Sequence, residues 1–290
     1  MKRAPASFDQ RTIDELSIGD ESAFRHVALY ADLKEVLRRA AYPFRVLPGA
    51  SSGRADRALL LNLSFWEADT GGDVLALGST EADVVAHAAW HYLAARALAP
   101  AAGGSLSVDA LFLGEAIASA FDVYLVGRLL GHAPRSTFLE TQVPAMAETA
   151  HAAGLSEVAF ARLLANIARD PERAFADLRE LLSDATTALF ACRTGEQAHA
   201  ALNALDGHRF SALLHRYELS NWVLYARAYG GRRGPDPRAQ TVDRALRKTR
   251  APLDWLAAHW IAPALGSTRA PAKRLTPPRR PTPAPRRRRA

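Results

Sequence analysis

Cysteine is nearly missing from this chain of 290 residues: Cys192 stands alone, so no internal disulfide can form. The opening Met1-Lys2-Arg3-Ala4-Pro5 leads into polar sequence, without the apolar core of a secretory leader, which makes the cytoplasm the expected compartment. Long uncharged apolar runs are lacking as well. The nearest, Val108 to Leu130, is interrupted by Asp109, Glu115, Asp122 and Arg128, and is expected as a helix buried in protein and not in lipid. Neither G-x-G-x-x-G nor a P-loop occurs, and neither nucleotide chemistry nor serine hydrolysis is expected.

Acidic residues are absent from Ser267 to Ala290, where there are nine Lys/Arg. Subtracting those nine from the formal charge of +7 leaves the first 266 residues at −2, so the basic character belongs to the tail. That tail, 267–290, is rich in Pro and Arg, has no apolar period and is expected to stay unfolded. Without aromatic side chains to stack on bases, it is expected to make at most weak, salt-sensitive contact with nucleic acid or other anions. No membrane partner is implied.

What is present is ordinary for a globular protein, with 49% hydrophobic and 23% charged residues. The expected fold class is α+β, predominantly α-helical. Apolar spacing predicts a helix over Ile13 to Ala41, stopped by Tyr42-Pro43. An extended piece, Phe44 to Leu47, follows. The apolar runs Ala58 to Trp66 and Asp73 to Leu77, joined by turn residues 68–72, predict a β-hairpin. Thr80, with Asp83 three residues on, has the form of a capping box opening a helix to about Leu98. A second long helix is expected from Ser107 or Val108 to between Gly131 and Pro134. From Thr137 to Tyr229 the chain reads as all-α, and 241–265 as one or two short helices. The expected organisation is thus an N-terminal helical segment (1–48), a core with the two long helices (49–134), a helical region (135–230), a basic linker with short helices (231–266) and the tail.

The chemistry is concentrated in two stretches, Val84-Val85-Ala86-His87-Ala88-Ala89-Trp90-His91 and Leu113-Gly114-Glu115-Ala116-Ile117. On a helix, His87 and His91 project from one face on successive turns and can grip a single ion. Glu115 lies 24 residues after His91, on the next predicted helix, where an antiparallel pair would bring it to the same point. A carboxylate between Leu113 and Ile117 needs a partner. Arg96 and Arg128 are the bland candidates, a cation shared with the histidines the sharp one.

This pattern resembles the gluzincin zinc metallopeptidases, which carry H-E-x-x-H on one helix and a third ligand, Glu, on a following helix. The resemblance covers roughly residues 58 to 130. It implies zinc held by His87, His91 and Glu115, supported by Asp83 four before His87, and by Ser119 or Asp122 after Glu115. The departure is at position 88, where the motif requires Glu and this chain has Ala88. In the family that glutamate shuttles the proton during peptide cleavage. The expected function is therefore a zincin-like metal-binding protein that is not a competent peptidase. Two alternatives stay open: a non-metal helical scaffold or interaction protein, and an active zinc hydrolase using another carboxylate. His215 and Glu218, three apart, read as a surface couple, and Tyr217, Trp222, Tyr225 and Tyr229 as a packed face.

Overall fold

The computed structural model describes residues 8–65, 72–100, 103–231 and 234–266. The chain begins with β1 (Asp9–Arg11), a 3-10 turn (Ile13–Glu15), β2 (Ser17–Gly19), α1 (Glu21–Phe24), α2 (Ala28–Arg39) and β3 (Phe44–Val46). After α3 (Ala55–Phe65) come β4 (Val74–Leu75), β5 (Ser79–Glu81) and the two long helices α4 (Ala82–Leu98) and α5 (Val108–His132). The rest is helical: α6 (Thr137–Ala152), α7 (Glu157–Arg169), α8 (Pro171–Ala191), α9 (Gly195–Asn203), a 3-10 segment (Ser211–Tyr217) and α10 (Leu219–Tyr229). Then α11 (Pro237–Lys248) and α12 (Pro252–Leu256) lead through a π turn (Ala257–Ile261) to α13 (Ala262–Ala264). The architecture is α+β and mostly helical, as the sequence indicates.

Helix α5 is the axis of the core. It packs against α4 on one side and α7 and α8 on others, while α2 covers α4. By length and composition α5 could cross a membrane, but 89% of its most apolar window is buried inside the protein. Ser107 sets its start by accepting from Ala110 N at 3.1 Å. Gly114 lets it run close to α4: a Cβ there would sit 3.2 Å from Ala94 Cβ. That close approach lies one residue before Glu115.

Two small sheets cover the N-terminal side. β3 is central in the first, antiparallel to β1 and parallel to β4. In the second, β2 pairs in parallel with β5, setting Ile18 opposite Thr80. This pairing overturns two expectations. The region 13–41 is not one helix, because Ser17-Ile18-Gly19 is drawn into a strand and Asp20 adopts a left-handed φ of 53° before α1. Asp20 then accepts from Ser136 Oγ at 2.5 Å and Phe138 N at 3.2 Å, tying the N-terminal region to the start of α6. Thr80 likewise does not cap α4: it lies inside β5, Glu81 is the N-cap residue, and no side chain bonds the cap.

The expected hairpin is also corrected. Ala58 to Phe65 belongs to helix α3, with Trp66 and 67–71 outside the described residues. Its leucines are good helix formers without β-branching. Asn62 supplies what a paired strand would have given: its side-chain amide donates to Val74 O at 2.9 Å and accepts from Val74 N at 2.8 Å. The tail 267–290, expected from its composition to be unfolded, lies outside the described residues.

Candidate metal centre

The two long helices bring the three expected ligands together. His87 and His91 stack obliquely with ring centroids 4.8 Å apart. Glu115 Oε1 of α5 is 3.6 Å from His91 Nε2. One ligand atom from each of the three side chains lies within 4.8 Å of the others. Bonds of about 2.0–2.1 Å to a tetrahedral ion put its ligands about 3.3 Å apart, so closing the set takes side-chain shifts of roughly 1 Å. Neither arginine considered as a partner for Glu115 is engaged with it: Arg96 donates to Tyr92 Oη at 3.3 Å, and Arg128 lies over the Tyr124 ring.

The three residues expected behind the ligands are at the same site. Asp122 Oδ2 lies 3.5 Å from His87 Nδ1, one turn along from buried Ser119. That contact leaves the other ring nitrogen of His87 available, the usual arrangement of a carboxylate orienting a ligating imidazole. Asp83 and Ser119 both line the cavity that the triad opens into.

This cavity has a volume of about 460 Å³. Sequence reasoning missed part of its wall. Asp73, just before β4, joins the acidic side; Arg216 and Tyr217 come from the 3-10 segment, and Trp222 and Tyr225 from α10. The last three aromatics, read from sequence as a packed face, therefore meet a cavity, while Tyr229 is exposed. No local signal announces Asp73 or Arg216, whose positions depend on tertiary packing. Ala88, almost fully buried, also lines the cavity. Of the imagined pair His215 and Glu218, only Glu218 reaches the cavity wall, and both are exposed.

Burial among like and opposite charges perturbs the site strongly. For His87, desolvation disfavours the proton, but Asp122, Glu115 and Asp73 outweigh it and raise the ring to about 9. Burial and the neighbouring His87 push His91 well below the usual histidine value. Burial lifts Glu115 to about 7, with His87 pulling it down and Asp73 and Asp122 adding to the rise. Asp83 rises to about 6 through burial and the nearby Asp122. In the metal-free protein the positive charge therefore sits on His87.

A further serine motif also escaped the sequence reading. Gly49-Ala50-Ser51-Ser52-Gly53 has the letters G-x-S-x-G, but Ser51 lies in a 3-10 turn and its hydroxyl accepts from Arg57 Nη1 at 2.6 Å. Among the described residues no histidine pairs with it, so it lacks the base such a nucleophile needs. Compared with known proteins, the chain matches no family model, no curated protein and no solved structure.

Proposed function

We propose that His87, His91 and Glu115 hold a divalent metal ion, zinc by the nature of the donors, in a gluzincin-like helix pair that does not work as a peptidase. The observation that carries this reading is the convergence of the three side chains within 4.8 Å, from two helices whose sequence spacing called for it. Two imidazoles and one carboxylate are a fitting donor set for zinc. Asp122 beside His87 supplies the orienting group that such ligands usually have. A largely buried carboxylate facing a neutral His91, with neither Arg96 nor Arg128 against it, is also better satisfied by a cation.

When bound, zinc would supply Lewis-acid polarisation of an oxygen ligand. The chain's own residues do not supply the proton carrier that peptide cleavage needs at position 88, where the Ala88 methyl lines the cavity. Asp122 is engaged with His87, and Asp83 lies a turn before His87 on α4. These residues serve binding and orientation.

Elemental analysis of purified protein, wild type beside His91→Ala, tests the reading. Zinc at about one equivalent in the wild type and its loss in the variant are expected. Equal metal content in the two, or none in either after incubation with zinc and dialysis, would favour the non-metal helical scaffold in its place.

A further inference from the structure

The cavity holds more acid than the metal triad uses. Five carboxylates line it, those of Asp73, Asp83, Glu115, Asp122 and Glu218, while Arg216 is the one arginine or lysine in its wall among the described residues. Zinc at the triad and the Arg216 guanidinium together supply three positive charges against those five, which leaves the lining at a formal −2. With zinc absent, a proton on His87 replaces only one of its two charges. The cavity is thus negative in either state.

Two of the five carboxylates have no counter-charge of their own. Asp122 faces His87, Glu115 faces His91, and Glu218 accepts from the Asn221 side-chain amide. No side chain among the described residues donates to Asp73 or Asp83. Both residues are part-exposed, and none of their unbonded oxygens is sealed from solvent. Both act electrostatically on His87, which puts them in one region of the cavity. Burial lifts Asp83 to about 6 and moves Asp73 in the same direction, as expected of carboxylates that lack a cation. Another part of the wall is aromatic: Trp222 and Tyr225 lie one turn apart on α10, both part-exposed, and Phe112 comes from α5. The faces of such rings attract a cation and cover an apolar body. A cavity of about 460 Å³ is of the size that takes a small organic molecule. An anion would meet net repulsion there, and a neutral ligand would leave Asp73 and Asp83 unpaired.

We propose that the cavity binds a small organic cation, an amine with an aromatic body, whose ammonium group is held by the charge of Asp73 and Asp83 and whose ring packs on Trp222 and Tyr225. The acid surplus is present with or without zinc, so the inference goes beyond the metal reading and does not depend on it. Zinc and the amine are like charges in one cavity, and each lowers the affinity for the other.

Calorimetric titration of the full chain at pH 7.5 with benzylamine, benzyl alcohol and phenylacetate tests this, with zinc content measured first by elemental analysis. Benzylamine should bind both the zinc-loaded and the metal-free protein, the latter at least about threefold tighter. Benzyl alcohol, with the same ring and no charge, should bind at least about tenfold more weakly, and phenylacetate not at all. Asp73→Asn and Asp83→Asn, which keep the side-chain shape, should each weaken benzylamine roughly three- to tenfold and leave benzyl alcohol unchanged. Benzylamine bound by neither form, benzyl alcohol matching benzylamine, or both variants binding benzylamine as the wild type does, overturns the inference. Benzylamine bound only by the zinc-loaded protein makes the amine a ligand of the metal and overturns it as well. A wild type that takes up no zinc yet binds benzylamine overturns the metal reading and leaves this inference standing.

Discussion

His91 Nε2 and Glu115 Oε1 stand 3.6 Å apart, yet they do not form an ion pair of ordinary kind. Burial keeps His91 neutral, and Glu115 is held near half-protonation at about pH 7. The charge in the metal-free site is on His87, beside Asp122. A metal must displace that proton, because only the neutral imidazole can ligate. Zinc binding at pH 7.5 should therefore release roughly one proton, mainly from His87, with a further fraction from Glu115. Calorimetry in buffers of differing ionisation enthalpy measures it, and a proton release of zero would contradict the assignment.

The same groups set a pH dependence of stability. The folded value of His87, about 9, exceeds its unfolded value, so its contribution is complete below the unfolded pKa and is lost as pH rises through 9. Below pH 7 the depressed His91 acts in the opposite sense, which makes pH 7 to 9 the informative window. Across it the metal-free protein should lose on the order of 1–2 kcal/mol, after allowance for the partial exposure of His87. Zinc-loaded protein should show the reverse trend, because deprotonation favours the metal. Urea unfolding at pH 7, 8 and 9, with and without zinc, checks both slopes.

Restoring the residue that the motif calls for tests the other half of the proposal. The unmodified protein should show no chelator-sensitive cleavage of an unstructured peptide. Ala88 lines the cavity but is almost fully buried, so Ala88→Glu brings a carboxylate to the wall at the cost of local repacking around α4. The variant is expected to gain zinc-dependent hydrolysis, by as much as 10²–10⁴-fold over the parent if the proton carrier alone is lacking. Strong chelator-sensitive activity in the unmodified chain would refute the non-peptidase reading.

The long helices and the triad were legible because their information is local. Pro100 and Gly103-Gly104 mark the break between α4 and α5, Ser107 is a cap that can be read as letters, and a spacing of four puts two histidines on one face. The strand content near α4 was misread where a tertiary partner decides. Thr80 looks like a cap until Ile18 pairs with it, and the leucines from Leu59 to Leu61 look like a strand until Asn62 takes over the backbone of Val74. Arg216 and Tyr217 lie about a hundred residues from Glu115, and only the packing of their segment against α6 brings them to the cavity.

Helix α2 ends at a residue that is wrong for its conformation. Ala41 is exposed at φ 46°, while Tyr42 N bonds back to Leu37 O at 3.0 Å, the pattern of a helix end that favours glycine. Ala41→Gly should stabilise the protein by about 0.5–1 kcal/mol, since glycine enters the left-handed region without a Cβ penalty. The melting temperature should rise by about 2 °C. A fall would mean that the gain in unfolded-state entropy outweighs the relief of strain.

The last expectation concerns the joint between α8 and α11. Arg179, completely buried on α8, donates from Nη1 to Asp243 Oδ1 on α11 at 2.6 Å, and its Nε has no hydrogen-bond partner among the described residues. Arg247 reinforces the joint, reaching Asp243 at 2.7 Å and Asp184 at 2.6 Å. Burying a guanidinium is costly, and burial lowers the Arg179 pKa despite Asp243. Attraction therefore falls short of offsetting desolvation, and the two single substitutions should behave differently. Asp243→Ala leaves the charge buried beside only Glu180, whose contact is 3.4 Å and half-open to water, and should cost about 3 kcal/mol or more. Arg179→Met replaces the charge with an apolar chain of similar length and should be near neutral, within about 1 kcal/mol. The double variant should recover most of what Asp243→Ala loses, because the orphaned charge has gone. Equal losses in both single variants, measured by urea unfolding, would show that the ion pair itself holds α11 in place.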